Sequence, residues 1–489
     1  MNTPVRRIAL AVMGMVVLLM ANLTYVQVVK AGDYRNDQRN QRVLLAEYSR
    51  QRGQISAAGQ VLADSKETGG RLRFQREYPD GPEYSAVTGY YSVLYSSSGV
   101  ERSLDEVLNG SDDRLFARRL SDLVTGRDPS GGNVVLTIDP AVQRAAYDEL
   151  TQRRFAGSVV AVRPQTGQIL AMVSTPSFDP NDLASLSSEE QTAAWARLNK
   201  ANPPTLSNRA ISETYPPGST FKLIDTAAAL QAGFTPDSPL TAAPEITLRN
   251  TKTDLENFAG TPCGTGPTAT LRDALARSCN TAFADLAAQL GEDRIRQQAE
   301  KFGVGTAPPP VPMPVVPSTL GDVPDVASLQ QSAIGQRDVR FTPLQNAMIV
   351  SAIANGGQLM APYLVQQIQS PTLDVLDEAQ PDRLGQAVPP EVARTLTDLM
   401  IGAENRTQGG GKITGVQIAA KTGTAEHGAD PKATPPHNWY VAFAPADDPQ
   451  IAVSVVVENG GDRSLEATGG SRAAPIGRAV IAAGLRGGR

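Results

Sequence analysis

The chain has 489 residues, 41% of them hydrophobic and 19% charged, with a formal net charge of -5. That length exceeds one core and points to two or three domains, while the acidic balance leaves no electrostatic footprint for nucleic acid. A histidine-based metal site or a Ser-His-Asp triad would have to be built on His427 or His437, the only two histidines, and neither H-x-x-x-H nor C-x-x-C is present; no metal and no cofactor are expected.

Arg6 and Arg7 precede an apolar run from Ile8 to Leu23 that continues, weakened by Thr24, Tyr25 and Gln27, to Val29. A bilayer core takes about 20 such residues. The run predicts a transmembrane helix over residues 8–29. The two arginines place residues 1–7 in the cytoplasm as a short tail and everything from about Lys30 outside it. Its length, and the lack of an A-x-A site before Lys30, favour an uncleaved signal-anchor in the plasma membrane over a cleaved leader. Outside the cytoplasm, Cys263 and Cys279 can be oxidised, so one short-loop disulfide is expected rather than two separate thiols.

Tyr34 to Arg52 is polar and reads as a stalk. Short alternating segments follow, such as Gly69 to Phe74 and Val87 to Leu94, which predict strands of a small non-catalytic N-terminal domain over residues 30–132. A turn-rich linker, Arg127 to Gly132, closes it. The second domain is expected over residues 133–489. It opens with a strand, Val134 to Ile138, and a helix capped by Asp139 with Pro140 at its first position. Ser158–Arg163 and Gln168–Val173 predict a hairpin of two central strands joined through Thr166-Gly167. A helix is expected from Ser219 to Gly233. Ala307 to Pro317 holds six prolines and predicts an extended surface connection rather than a packed element. Val416–Ala425, Asn438–Ala444 and Ile451–Glu458 read as turn-linked antiparallel strands, with a closing helix from Arg472 to Leu485. The fold class is α+β: an antiparallel sheet flanked by helices.

Three short words carry the chemistry: Ser219-Thr220-Phe221-Lys222, Ser278-Cys279-Asn280 and Lys421-Thr422-Gly423, each occurring once and in that order. A serine hydroxyl is a poor nucleophile until a base takes its proton. Lys222, three residues after Ser219 on a helix, sits on the same face within reach of it. It can act as base only if its pKa is lowered, which burial and a second cation, Lys421, would both do. Ser278 can relay a proton to a leaving group, and the Asn280 amide can hold a lysine and a substrate amide. Thr422, Thr424 and Lys421 offer donors to a terminal carboxylate, and Gly423 leaves room for a substrate backbone to pair as an added strand. The N–H groups of Ser219 and Thr424 are the expected oxyanion hole. His427 and His437 are read as exposed loop and strand residues.

Together these words match the S-x-x-K, S-D-N and K-T-G set of penicillin-binding proteins and class A β-lactamases. Arg52-Gly53-Gln54-Ile55, Gly99-Val100-Glu101 with Leu108-Asn109-Gly110, Pro176 to Asn181, Asn208-Arg209-Ala210, and Thr342 to Gln345 with Ala354 to Gly357 extend the match over nearly the whole chain. The sequence resembles a class B penicillin-binding protein, although Ser56-Ala57-Ala58 departs from the charged residues that usually follow the first motif. The resemblance implies a D,D-transpeptidase that crosslinks peptidoglycan stem peptides, drawn from lipid-linked precursor polymer, through an acyl-enzyme on Ser219. It also implies covalent capture by β-lactam antibiotics and a partnership with division or elongation machinery. About 100 residues between anchor and second domain are too few for a glycosyltransferase domain, and no E-x-x-L-N word that would serve a β-lactamase follows Ser219. Two alternatives share these residues: a D,D-carboxypeptidase, and a non-enzymatic sensor or scaffold.

Overall fold

The structure, a computed structural model, describes residues 3–30, 48–70, 72–126, 128, 130–428, 430 and 433–487. Most of the expected stalk, Tyr34 to Glu47, lies outside the described residues. Helix α1 (Thr3–Thr24) runs on through one π-helical segment to Val29, with mean hydropathy 2.1 and none of the span buried. At 1.5 Å per residue its 27 residues reach about 40 Å, more than a bilayer core of about 30 Å needs.

The N-terminal region folds around β1 (Ile55–Ala57), β2 (Gln60–Glu67) and β3 (Phe74–Glu77), with helices α2 (Gly81–Thr88) and α3 (Phe116–Thr125). The β1–β2 turn uses Ala58 and Gly59 at φ 46° and 82°, so the departure from the family pattern at residues 56–58 covers the end of β1 and the first residue of a tight turn. Two expectations fail here. The chain is still turning after Glu67, and β3 begins only at Phe74. Val87 and Thr88 end α2, and strand resumes for only Tyr91–Ser92. The alternation of that stretch suggested a strand, but Pro82 in the first turn starts a helix that buries Tyr84 and Val87. Arg52 and Glu101, from the two N-terminal words, meet in a buried ion cluster. Arg52 Nε lies 2.6 Å from Glu101 Oε2, and Arg76 Nε lies 2.6 Å from Oε1. Burial alone would raise the Glu101 pKa; the two guanidiniums outweigh it and hold the carboxyl below its usual range.

Strand β4 (Asn133–Leu136) joins the two regions. It pairs in parallel with β1, Ile55 opposite Val134, and antiparallel with β7 (Val365–Gln369), which in turn pairs with β8 (Val375–Glu378). The resulting order is β8-β7-β4-β1-β2-β3, one sheet running across the division expected at residue 133. Side chains stitch the same seam: Asn181 and Asn208, from the family words, respectively exchange hydrogen bonds with the Tyr78 backbone and donate to Ala86 O, and Gln143 of the following helix donates to Glu83 O.

The second sheet has the order β9-β10-β11-β5-β6, all antiparallel. Its strands are β5 (Gly157–Val162), β6 (Ile169–Thr175), β9 (Ala419–Ala425), β10 (His437–Ala444) and β11 (Ile451–Val457). Alternate residues serve opposite layers, as a two-residue period requires. Val159, Ala161, Val453 and Val455 pack on α4 (Pro140–Gln152) and the closing α8 (Gly469–Gly487). Val160, Val162, Val441 and Ala452 pack on the side of the central helix α7 (Pro343–Ala354). The α+β class holds, and Asp139 caps α4 as expected, accepting from Ala141 and Val142 N–H. Strand β6 is an edge rather than a central strand, yet it is wholly buried because α2 and α4 pack against it. The proline-rich stretch forms neither helix nor strand, but it is not a mere surface connection: Val311, Met313 and Val315 are buried, so it is a strap packed on the core.

Candidate active site

Ser219 stands on a 3-10 turn, Gly218–Thr220, that leads into α5 (Lys222–Gln231). Gly218 sits at φ 54°, where a side chain is strained, and a Cβ there would come within 2.8 Å of Thr424 O. Its N–H donates to Gly335 O at 2.9 Å, fixing the turn so that Ser219 is partly exposed at the mouth of a cleft of about 630 Å³. The cleft is shared by Ser219, Ser278, Asn280, Thr422 and Thr424.

Lys222 is fully buried. Its Nζ lies 3.0 Å from Ser219 Oγ, 2.8 Å from Ser278 O and 2.8 Å from Asn280 Oδ1. Asn280 Nδ2 donates to Glu256 O at 3.1 Å, so its oxygen must face the lysine. A carbonyl and an amide oxygen can only accept, whereas a hydroxyl can also donate. A neutral amine, with two N–H groups and one lone pair, matches that set. Burial first, then the charge of Lys421, pushes the Lys222 pKa well below its ordinary value; Asp225 opposes them.

Ser278 lies between the helix Leu271–Arg277 and α6 (Asn280–Leu290), at φ 62°. This left-handed residue turns its carbonyl to Lys222 while its hydroxyl accepts from Lys421 Nζ at 2.8 Å. Lys421 also donates to Thr422 O at 2.8 Å, and burial lowers its pKa to about 7. The neighbouring Cys279 is bonded to Cys263 with the Cα atoms 5.9 Å apart, closing the expected short loop.

Lys421, Thr422, Gly423 and Thr424 are on β9, an edge strand as expected. The reason for Gly423 differs from the expected one. A Cβ there would meet Pro217 O at 2.8 Å, Trp439 Cβ at 3.1 Å and Thr220 Cγ2 at 3.2 Å. The glycine lets the nucleophile turn pack on β9 rather than opening space for substrate. His427 and His437 are not exposed loop and strand residues. Their rings stack 3.7 Å apart, His437 is buried, and its Nδ1 accepts from Asn459 N–H. Burial, then His427 and Arg340, pushes the His437 pKa down to about 3. The pair closes the β9–β10 connection beside the cleft.

Asp225 escaped the sequence reading. It is fully buried one turn beyond Lys222, and neither carboxyl oxygen has a hydrogen-bond partner among the described residues. Burial raises its pKa well above the ordinary carboxylate value, against the pull of Lys222. The available signal was a lone carboxylate within the apolar run Phe221, Leu223, Ile224, Ala227.

A serine at the head of a helix, a desolvated lysine within its reach, and a second lysine joined to the first through one serine define the S-x-x-K class of serine acyl-transfer sites. Residues 157–482 match the penicillin-binding protein transpeptidase domain, and residues 52–134 match the penicillin-binding protein A dimerisation domain. The chain belongs to the class B penicillin-binding protein transpeptidases. It is 57% identical to the peptidoglycan D,D-transpeptidase PbpA of Mycolicibacterium smegmatis over 99% of both chains. It is 56% identical to PbpA of Mycobacterium tuberculosis over 100% of both. The ceftriaxone acyl-enzyme complex of M. tuberculosis penicillin-binding protein A superposes with a TM-score of 0.89, at 56% identity, covering 90% of this chain and 100% of that one.

Proposed function

We propose that this chain is a peptidoglycan D,D-transpeptidase acting through an acyl-enzyme on Ser219. The observation that carries the reading is the position of Lys222 Nζ, 3.0 Å from Ser219 Oγ with its two other neighbours able only to accept. Ser219 Oγ attacks the carbonyl carbon of the penultimate D-alanine of a donor stem peptide, and its proton passes to Lys222. The oxyanion is held by backbone N–H groups at the Ser219 turn and on β9. As the tetrahedral intermediate collapses, the C–N bond breaks, and the leaving D-alanine amine takes a proton from the Ser278 hydroxyl, replenished from Lys421. An acceptor amine from a neighbouring strand then attacks the ester, gives up its proton along the same path and restores Ser219. The peptide bond lost and the peptide bond gained are equivalent, so no external energy source is required. Thr422, Thr424 and Lys421 take the donor's terminal carboxylate. A β-lactam is opened by the same attack, but its amine stays tethered, so the ester persists.

The likeness to relatives named D,D-transpeptidases and to β-lactam acyl-enzyme structures supports this assignment. Helix α1 anchors the body to the plasma membrane, with Arg6 and Arg7 on the cytoplasmic side. The disulfide is consistent with a body in an oxidising compartment. Mass spectrometry of the products formed from polymeric, lipid-derived donor tests the function. Crosslinked dimeric stem peptides are expected; products trimmed of D-alanine without any crosslink would replace this reading with a carboxypeptidase.

A further inference from the structure

Helix α3 is amphipathic in the inverted sense. Its inward side carries Arg118 and the buried Asp122, with Arg118 Nε 3.8 Å from Asp122 Oδ2. Its outward side carries Phe116, Leu120 and Val124, a four-residue repeat that exposes 60%, 53% and 79% of these side chains. Soluble helices normally place their apolar stripe toward the core. Two further exposed apolar residues, Leu373 and Val375, lie on a segment held against α3. Arg118 Nη1 donates to Thr372 Oγ1 at 2.7 Å, and Arg114 Nη1 pairs with Asp377 Oδ2 at 2.6 Å. The Arg119 guanidinium lies 5.8 Å from the centre of the Phe116 ring. One patch therefore gathers an aromatic and aliphatic face, the Arg119 guanidinium at its edge, and Arg114, which is shared between Asp112 and Asp377.

The path of the chain says what covers it. α3 ends at Gly126, and Ser130 then bridges Gln51 while Gly131 N–H donates to Gln51 O at 2.9 Å. The polypeptide arriving from α1 thus enters the folded body beside the C-terminal end of α3. Only residues 30–47 separate Val29 from Tyr48, a tether of at most about 60 Å when fully extended. Among the described residues the apolar face has five side chains, far short of the roughly 20–30 residues a side that a stable interface with a second copy needs. An exposed apolar helix face with an arginine at its edge suits the headgroup layer of a membrane.

We propose that the outer face of α3 with Leu373 and Val375 rests on the bilayer that α1 spans, and that Arg119 at its edge and Arg114 on the turn before it take the phosphates of anionic phospholipids. The contact sets the height and tilt of the catalytic body above the membrane. This rests on the reading of α1 as the anchor.

The test uses the full-length chain reconstituted in vesicles of phosphatidylglycerol and phosphatidylcholine containing a doxyl-labelled lipid. Single cysteines carrying an environment-sensitive fluorophore are placed by Leu120→Cys and, separately, Val124→Cys. Leu384→Cys, an exposed apolar position elsewhere, is the solvent control, and Leu18→Cys reports α1. Covalent labelling by a fluorescent penicillin confirms that each variant is folded. Quenching at residues 120 and 124 should exceed the Leu384 control at least threefold. It should fall toward that control in Arg114→Gln/Arg119→Gln or in vesicles of phosphatidylcholine alone. Quenching at Leu18 with none at either α3 position overturns the proposal and leaves the anchor standing; no quenching at Leu18 overturns both. Blue-shifted emission at residues 120 and 124 without lipid quenching means cover by a second copy or by this chain's own residues 31–47, and also overturns it.

Discussion

The Cys263–Cys279 disulfide ties stability to the site, because Cys279 stands between Ser278 and Asn280, which both contact Lys222. The bond spans 16 residues. Loop-closure entropy for that span is worth about 3 kcal/mol at 25 °C, roughly a hundredfold in the folded-to-unfolded ratio. The functional effect adds to this. Ser278 is held at φ 62°, a conformation a serine does not favour by itself, and a misplacement of about 1 Å in catalytic groups can cost about a hundredfold in rate. Two perturbations separate the causes. Reduction of the native protein opens the loop without removing atoms; Cys263→Ala/Cys279→Ala also empties volume at two buried positions. Both should move the urea midpoint down, the double variant further, and both should slow acylation by a chromogenic β-lactam at least tenfold in protein that is still folded. An unchanged midpoint together with acylation within twofold of the oxidised protein would refute the reasoning. Two titratable thiols in denatured, unreduced protein would remove its premise.

Lys421→Met removes the neighbouring cation that helps burial keep Lys222 deprotonated. The proton affinity of Lys222 rises in its absence, so the rising limb of the acylation rate should move to higher pH; a pH-rate profile with an unmoved or acid-shifted limb contradicts the assignment. Gly423→Ala places a methyl 2.8 Å from Pro217 O, displacing the nucleophile turn from β9, and should lower acylation by about a hundredfold while secondary structure, read by circular dichroism, is retained. Glu101→Ala leaves the buried Arg76 without a carboxylate and Arg52 with Asp105 alone and should cost about 3–5 kcal/mol in denaturant titration. Because the Glu101 pKa is depressed in the fold, the stability it confers is present in full above its ordinary value of 4.5. That contribution drains away as pH falls toward the lower folded value, so wild type and variant should converge in acid.

The chemistry of the site was legible because it lies in short local words. Ser219 and Lys222 are one helical turn apart, and Lys421 to Thr424 occupy consecutive positions of one strand. The Asp139-Pro140 helix start and the three C-terminal strands were legible for the same reason, since caps, turns and alternation are local signals. Long-range pairing was not. Nothing near Asn133 announces that β4 will pair with Ile55 on one side and Val365 on the other, which makes one sheet of two regions. The burial of Val311, Met313 and Val315 depends on a surface supplied by distant helices. The histidine stack depends on β9 and β10 meeting in register, with Ala425 opposite His437. Gly423 was read correctly as a site of close approach, but whether substrate or Pro217 approaches is decided only by the tertiary fold.

The central claim is that Ser219 forms the acyl-enzyme. Intact-protein mass spectrometry after incubation with benzylpenicillin, followed by peptide mapping, tests it most directly. The account predicts a single added penicilloyl mass, located on the peptide containing Ser219, and no adduct on a folded Ser219→Ala protein. An adduct that maps to another residue, or that survives on Ser219→Ala, would contradict it.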